Sequence, residues 1–278
     1  MLARFAASSR SSRRCRARVE RGRGAALALA IALVALARPA PAELVRVRYP
    51  EGPAHGFVVL SDLRGNAIAQ GELIQWLERG GVASRLVFHF DDGSLSDETV
   101  RFTQRPTFRV TSYHLVHRGP SFRESMDASF DRSGHYDVRR RAKPDAEEET
   151  ASGHVDVPTD VSNGMFSTLL KNVSPGTPTT VHVLTFRPKP LVLEVHLTSE
   201  GTDRLGLGRE TVTATRFLIQ PRVPGLTGVA ATVTGKQPDA LRMWIADGRA
   251  PTLVHFEGTL YTDGPVWRID LTGPRIAE

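Results

Sequence analysis

Apolar and polar side chains alternate from Leu241 to Leu271, in three short runs separated by turn residues. The apolar positions of these runs are Leu241, Met243, Ile245, Val254, Phe256, Leu260, Trp267, Ile269 and Leu271. Asp247-Gly248 and Asp263-Gly264 stand between the runs, and Asp-Gly favours the tight turns of hairpins. A period of two with one apolar face is typical of half-buried antiparallel strands. The stretch therefore predicts three consecutive antiparallel strands.

A similar alternation runs through residues 44–138 and predicts a first meander of antiparallel strands. Segment 67–78 is ambiguous, because its apolar positions also fit a helical stripe. Gly71 inside it and the glycine pair after it favour a strand. The turns of the meander are expected at Asp92-Gly93, Gly119-Pro120 and Ser133-Gly134.

A second meander is predicted over residues 179–271, where Leu191, Leu193, Val195 and Leu197 alternate with less apolar positions. Between the meanders, alanine is the only apolar residue type in 139–152, which indicates a solvated charged loop. Segment 159–173 then predicts one amphipathic helix, because apolar residues recur every four positions. We therefore expect a mostly β fold: a large curved antiparallel sheet or half-open β-barrel with one helix. The helical positions are Val161, Met165, Leu169 and Val173.

Residues 1–42 have the three parts of a secretory signal peptide. An arginine-rich start precedes the apolar run Ala25–Ala37, and Ala40-Pro41-Ala42 follows as a cleavage site. Thirteen apolar residues are few for a bilayer span, although an uncleaved anchor is the alternative. We expect cleavage after Ala42, a periplasmic or secreted location, and residues 43–278 as a single β-rich domain that is not an integral membrane protein.

Removal of that segment changes the charge balance of the chain. Of its 36 basic and 30 acidic residues, nine basic residues and one acidic residue lie in 1–42. The remainder therefore carries a net charge of −2 instead of the +6 of the whole chain. A basic surface for nucleic acid is not indicated, because the excess positive charge belongs to the export signal.

Motifs of catalysis are not found. Cys15 is the only cysteine and lies in the predicted signal peptide, so the mature chain has neither a thiol nor a disulfide. Leu205-Gly206-Leu207-Gly208 lacks the third glycine of a dinucleotide loop. His114 and His117 would point to opposite faces of a strand, so they do not form a metal-binding pair. We predict no catalytic residue, no metal and no cofactor.

Three tryptophans are the candidate ligand-binding residues. Trp76, Trp244 and Trp267 could line a groove, although tryptophan more often fills a core. Trp244 stands between the apolar residues Met243 and Ile245, and successive side chains of a strand point to opposite faces. It is therefore expected on the other side of the sheet, where a second apolar face would line a cavity or a partner surface.

The segments Gly258-Thr-Leu-Tyr261, Gly264-Pro-Val-Trp-Arg-Ile269 and Ser162-Asn-Gly-Met165 resemble those of a bacterial family of secreted β-rich proteins of unknown function. More remotely, two meanders with an intervening helix are similar to the half-open barrels of the periplasmic lipoprotein carriers LolA and LolB. That resemblance implies a curved sheet that holds acyl chains in an apolar hollow, but it implies no particular binding residue.

Three functions follow as expectations. The first is a non-enzymatic envelope protein that binds an apolar ligand, such as a lipid, or a lipidated partner protein. The second is an envelope assembly or scaffolding protein that acts through protein–protein contacts. The third is a hydrolase with a dispersed site, which would need a histidine and a carboxylate converging in a pocket.

Overall fold

The computed structural model describes residues 44–187, 189–208, 210–223 and 238–272. These residues form one short helix, α1 (Phe166–Leu170), and fourteen strands, and among them no helix has the length and apolar character needed to cross a bilayer. The mostly β prediction is therefore confirmed. The strands are β1 (Ala54–Ser61), β2 (Ala67–Glu78), β3 (Gly81–Phe90), β4 (Leu95–Gln104), β5 (Phe108–Arg118), β6 (Ser125–Asp131), β7 (His135–Arg141), β8 (Glu149–His154), β9 (Thr179–Arg187), β10 (Lys189–Leu207), β11 (Glu210–Arg222), β12 (Leu241–Ala246), β13 (Thr252–Gly258) and β14 (Trp267–Thr272).

All fourteen strands belong to one antiparallel sheet in the order β8-β7-β6-β5-β4-β3-β2-β1-β14-β13-β12-β11-β10-β9. Each strand therefore pairs with its neighbour in sequence within two meanders, and β1 and β14 join the meanders at the centre. In the described chain β8 and β9 are the two edges, so the sheet is not closed into a barrel. Segment 67–78 is a strand, as predicted. A Cβ at Gly71 would clash with the Val87 carbonyl oxygen and the Phe88 ring, which explains the glycine there.

The sheet is strongly curved. In a flat sheet, β6 and β9 would be eleven strand spacings apart, about 53 Å at ~4.8 Å each. The rings of Phe130 on β6 and Phe186 on β9 have centroids only 6.4 Å apart. The two halves of one face, here called the inner face, therefore pack on each other and enclose the main core. A second core cluster lies on the inner face around Phe88, Phe90 and Trp267.

The helix is shorter than predicted: α1 covers 166–170 instead of 159–173. Gly164 has a φ of +68°, which is incompatible with a continuous α-helix. Before it, the Ser162 N–H donates to the His182 carbonyl, and the Asn163 side chain pairs with the N–H and the carbonyl of Leu184. Segment 158–165 is therefore used to cover the β9 edge. The predicted apolar face is correct, because Val161, Met165, Leu169 and Val173 are all buried.

The loop predicted over 139–152 is also shorter, because β7 extends to Arg141 and β8 begins at Glu149. Arg140 Nη1 lies 3.2 Å from Glu149 Oε2, and Arg141 Nη2 lies 3.4 Å from Glu148 Oε2. The two oppositely charged runs thus face each other across a hairpin, and only its tip is a loop. Exposed pairs of this kind contribute about 0–1 kcal/mol each.

An N-terminal arm, residues 44–51, ties segment 158–173 to the rest of the sheet. The Asn172 side-chain oxygen accepts hydrogen bonds from the N–H groups of Arg48 and Tyr49, both at 2.7 Å. Lys171 Nζ lies 2.5 Å from Glu51 Oε1, and both side chains are largely buried. This contact is an ion pair without hydrogen-bond geometry, because Glu51 Oε1 has no directed donor. The arm therefore holds the segment by a buried charge pair and by backbone amides.

Candidate functional site

Trp244 lies on the face of the sheet opposite the core, here called the outer face. In the register of β12 it stands beside Arg216 of β11 and His255 of β13. Its neighbours Met243 and Ile245 pack into the main core. The predicted difference in side between Trp244 and these two residues is confirmed, and it follows from the period of two of a strand.

Around Trp244 the outer face carries an apolar cluster of its own, which we call the outer patch. Its centre consists of Ala214, Ala246 and Val254, which are buried, while Leu205, Leu207, Val212 and Trp244 pack against them and stay partly exposed. Small side chains at the centre let the larger ones cover it. The sheet therefore has two apolar faces in this region.

The outer patch continues onto a hairpin that projects beyond the neighbouring strands. β9 pairs with β10 only as far as Leu197, and β12 pairs with β11 only from Ala214 onwards. Among the described residues, 205–207 and 210–212 have only each other as strand partners. Leu205 is paired with Val212, so these side chains share the outer side of the hairpin. The hairpin thus presents apolar side chains together with strand edges that no other described strand pairs with.

Paired charges border the outer patch on one side. Glu200 Oε2 accepts from Arg216 Nε at 3.2 Å and from Arg242 Nε at 3.0 Å. Asp203 Oδ2 accepts from Arg216 Nη1 at 2.8 Å and from the Trp244 indole N–H at 2.7 Å. Each carboxylate therefore faces at least one guanidinium. The network fixes the Trp244 ring in place and leaves little uncompensated charge beside the patch.

The border continues on the other side through a histidine. The rings of Trp244 and His255 meet edge to face at 4.8 Å. His255 Nδ1 lies 2.6 Å from Asp270 Oδ1 on β14. The polar border thus crosses five adjacent strands, β10 to β14. It rigidifies an aromatic residue at the rim of an apolar surface, which is an arrangement suited to binding.

The other two predicted tryptophans lie elsewhere. Trp267 is 5% exposed and packs in the second core cluster, 5.5 Å from Phe90. Trp76 is on the outer face of β2, where its indole N–H donates to Glu78 Oε1 at 3.1 Å. Four strand spacings, about 19 Å, separate it from Trp244. The structure therefore does not gather the three tryptophans into one groove, and only Trp244 borders a surface patch.

Histidine–carboxylate contacts occur, but within the described part of the chain none of these histidines is hydrogen-bonded to a serine or threonine hydroxyl. His182 Nδ1 lies 2.9 Å from both Asp160 carboxylate oxygens. The nearby Ser162 hydroxyl donates to the Asp160 backbone carbonyl, not to the imidazole. In the described ranges, no three His, Cys, Asp or Glu side chains converge as a metal-binding group. The pair fits a structural role in holding segment 158–165 on β9.

His117 is a buried histidine, and its local sequence did not indicate this burial. It lies on the inner face of β5, while His114 points outward to Asp127, so the predicted opposite faces are confirmed. Its ring stacks on Phe122 with centroids 4.4 Å apart, and its Nε2 has no hydrogen-bond partner. Burial lowers the pKa of His117 to about 4. Phe122 lies in the loop that directly follows β5, whereas Tyr261 comes from the distant β13–β14 loop, so the local sequence does not indicate the full environment of His117.

We expect the protein to lose stability as the pH falls from 6.5 to 4. In this window the unfolded chain protonates His117 and the folded chain does not, so the free energy of unfolding decreases with decreasing pH. The total loss is on the order of 3 kcal/mol. Urea unfolding across this range checks the slope. His117→Phe keeps the ring stacking and should remove the contribution of His117 to the slope.

Two comparisons make this pH test specific. His114→Gln removes an exposed histidine and should keep the slope of the natural protein. Glu98 accepts from the Tyr113 hydroxyl at 2.7 Å, and burial raises its pKa, so it contributes a slope of opposite sign above pH 4.5 in every variant. An unchanged slope in His117→Phe would show that His117 is not the group responsible.

Comparisons with known proteins add no family to this picture. Protein-family models, curated protein sequences and solved structures were searched, and none of them matches the chain. The resemblances to secreted β-rich proteins and to lipoprotein carriers therefore stay predictions. What the chain does has to be inferred from its own residues, and the outer patch is the candidate functional site that they form.

Proposed function

We infer that this is a non-enzymatic cell-envelope protein that assembles with another protein through the outer patch. The location rests on the predicted signal peptide of residues 1–42. The observation that carries the binding role is the apolar cluster around Leu205, Val212 and Trp244, which lies on the side of the sheet away from the core. Apolar surface of this kind, rimmed by polar residues, is typical of protein–protein contact sites.

The interior of the sheet supports an enclosed apolar ligand less well. Two cavities beside segment 157–165 have volumes of about 10 and 90 Å³. Pockets for small ligands usually measure about 300–1,000 Å³. The side chains of the two sheet halves pack on each other in the main core. A protein partner at the surface is therefore the better supported of the two predicted binding functions.

The chemistry of the patch indicates the kind of partner segment. Its border charges are neutralised in pairs by the network around Glu200 and Asp203, so a strongly charged partner gains little there. The β10 edge beyond Leu197 has no neighbouring strand among the described residues. Free edges accept extended peptides by backbone hydrogen bonding. We propose that the partner contributes an extended, uncharged, apolar segment, which pairs as an added strand along the hairpin.

Site-specific photo-crosslinking in intact cells tests this function. A photoreactive residue at position 205 should give one dominant protein adduct. The same residue at position 63 is the control, because Leu63 is 51% exposed and lies in the β1–β2 turn, away from the patch. Val212→Asp should abolish the adduct from position 205 while the melting temperature stays close to that of the natural protein.

Each contrary result has a defined meaning. Adducts to lipid alone from position 205 would contradict a protein partner and favour the apolar-ligand function. No adduct at position 205, or an equal one at position 63, would remove the outer patch as the binding surface.

A further inference from the structure

A small cleft next to the start of segment 158–173 is lined by two arginines. Arg109 of β5 and Arg132, which follows β6, flank it, and Thr159 contributes a hydroxyl. Val157, Pro158 and Val161 form its apolar wall. The cleft has a volume of about 90 Å³, enough for several water molecules or a group of a few heavy atoms.

The backbone holds the two arginines at one place. Arg109 stands opposite Thr103 in the β4–β5 register, and the Arg132 N–H donates to the Thr111 carbonyl at 2.9 Å. The end of β6 is thereby fixed beside the first part of β5. The Val161 N–H donates to the Pro158 carbonyl, which shapes the turn that carries Thr159. The donors of the cleft therefore come from three separate segments.

Neither guanidinium has an ion pair or a side-chain hydrogen bond with any described residue. In contrast, the arginines at positions 85, 140, 216 and 268 all contact carboxylates. Carboxylates near the cleft in sequence do not neutralise it. Asp131 accepts from Ser133, Asp160 contacts His182, and Asp156 forms no ion pair with any described residue. Two positive charges thus remain uncompensated at the same cleft.

Other arginines of the chain also lack a carboxylate partner, Arg118 among them, but Arg109 and Arg132 line one cavity together. Guanidinium groups donate several N–H bonds in a fixed fork and bind phosphate oxygens well. Donors from three directions suit a tetrahedral anion better than a planar carboxylate.

We propose that this cleft is a phosphate-binding site, in which Arg109 and Arg132 hold the phosphate oxygens and the Thr159 hydroxyl donates a third hydrogen bond. The phosphate group is that of the free ion or of a lipid headgroup, since the two share the same chemistry. This inference does not rest on the proposed assembly function, because the outer patch is formed by other strands.

Isothermal titration with inorganic phosphate at low ionic strength tests the site. We expect single-site binding to the natural protein, at least about tenfold weaker binding to Arg109→Gln or Arg132→Gln, and none to the double variant. Arg118→Gln removes an exposed arginine at the other end of β5 and should bind as the natural protein does. Equal melting temperatures confirm that the variants are folded. Binding that is equal in the double variant, or absence of binding to both inorganic phosphate and phosphatidylglycerol vesicles, would overturn the proposal.

Vesicles distinguish the two sources of phosphate. Co-sedimentation with phosphatidylglycerol vesicles that is lost in the double variant, but kept in Arg118→Gln, would assign a lipid headgroup. Binding of inorganic phosphate without vesicle binding would assign the free ion. Both results support the site. Vesicle binding that survives in the double variant, together with no titration signal for phosphate, would contradict it.

Discussion

Trp267→Ala is expected to lower the free energy of unfolding by about 3–5 kcal/mol. The indole is 5% exposed and contacts the rings of Phe90, Phe122 and Tyr261, so its removal leaves a cavity in the second core cluster. A loss of this size is a large share of the roughly 5–15 kcal/mol that stabilises a typical domain. Urea unfolding monitored by circular dichroism measures it.

The matched control is the next residue. Arg268 is on the outer face, pairs with Glu257 at 3.2 Å, and has a side chain that is 37% exposed. Arg268→Ala should therefore cost only about 0–1 kcal/mol. Equal losses in the two variants would show that the assignment of Trp267 to the inner face and Arg268 to the outer face of β14 is wrong. A Trp267→Ala protein with the stability of the natural one would exclude a core role for Trp267.

Lys171→Met is expected to cost about 3–5 kcal/mol, because it leaves the largely buried Glu51 carboxylate without its partner. Lys171→Met combined with Glu51→Met replaces both charges by apolar groups and should recover most of the loss. The free energy of unfolding in urea measures both effects. Faster amide exchange at Arg48 and Tyr49 should accompany the single change, because the arm docks on the same segment.

An exposed ion pair supplies the comparison for Lys171. Arg101 Nε lies 3.2 Å from Glu78 Oε1, and the side chains are 45% and 34% exposed. Arg101→Met should change stability by about 0–1 kcal/mol. If Lys171→Met were no more destabilising than Arg101→Met, the Lys171–Glu51 contact would count as a surface pair, and the arm would be held by its backbone hydrogen bonds alone.

The strands were predictable where one face is buried and the other is not. Leu193, Val195 and Leu197 are all buried on the core side of β10, and the residues between them lie on the opposite, more exposed side. The helix was overestimated, since apolar residues every four positions are preserved across Gly164 although the backbone turns there. β8 was missed because Glu149–His154 has no large apolar residue that would indicate a buried face.

The candidate sites were less predictable, because they depend on how far neighbouring strands extend. Trp244 alternates in sequence with the core residues Met243 and Ile245, and this alternation predicted its side of the sheet correctly. The projection of the β10–β11 hairpin follows from where β9 begins and where β12 ends, which no local pattern encodes. Leu205 and Leu207 alternate with Gly206, and this period of two was the available signal for the outer patch. The joint position of Arg109 and Arg132 depends on the β5–β6 pairing.

The central pairing of β1 with β14 limits the order in which the strands of the sheet can assemble during folding. Val58 pairs with Leu271, so the contact closes a loop of more than two hundred residues. Each meander is built from hairpins with local contacts, whereas this seam has a very high contact order and forms slowly. A chain that emerges N-terminus first leaves β1 as an open edge until β14 arrives. During that interval β1 offers its backbone to foreign strands, so aggregation is a hazard of biogenesis more than of the finished fold.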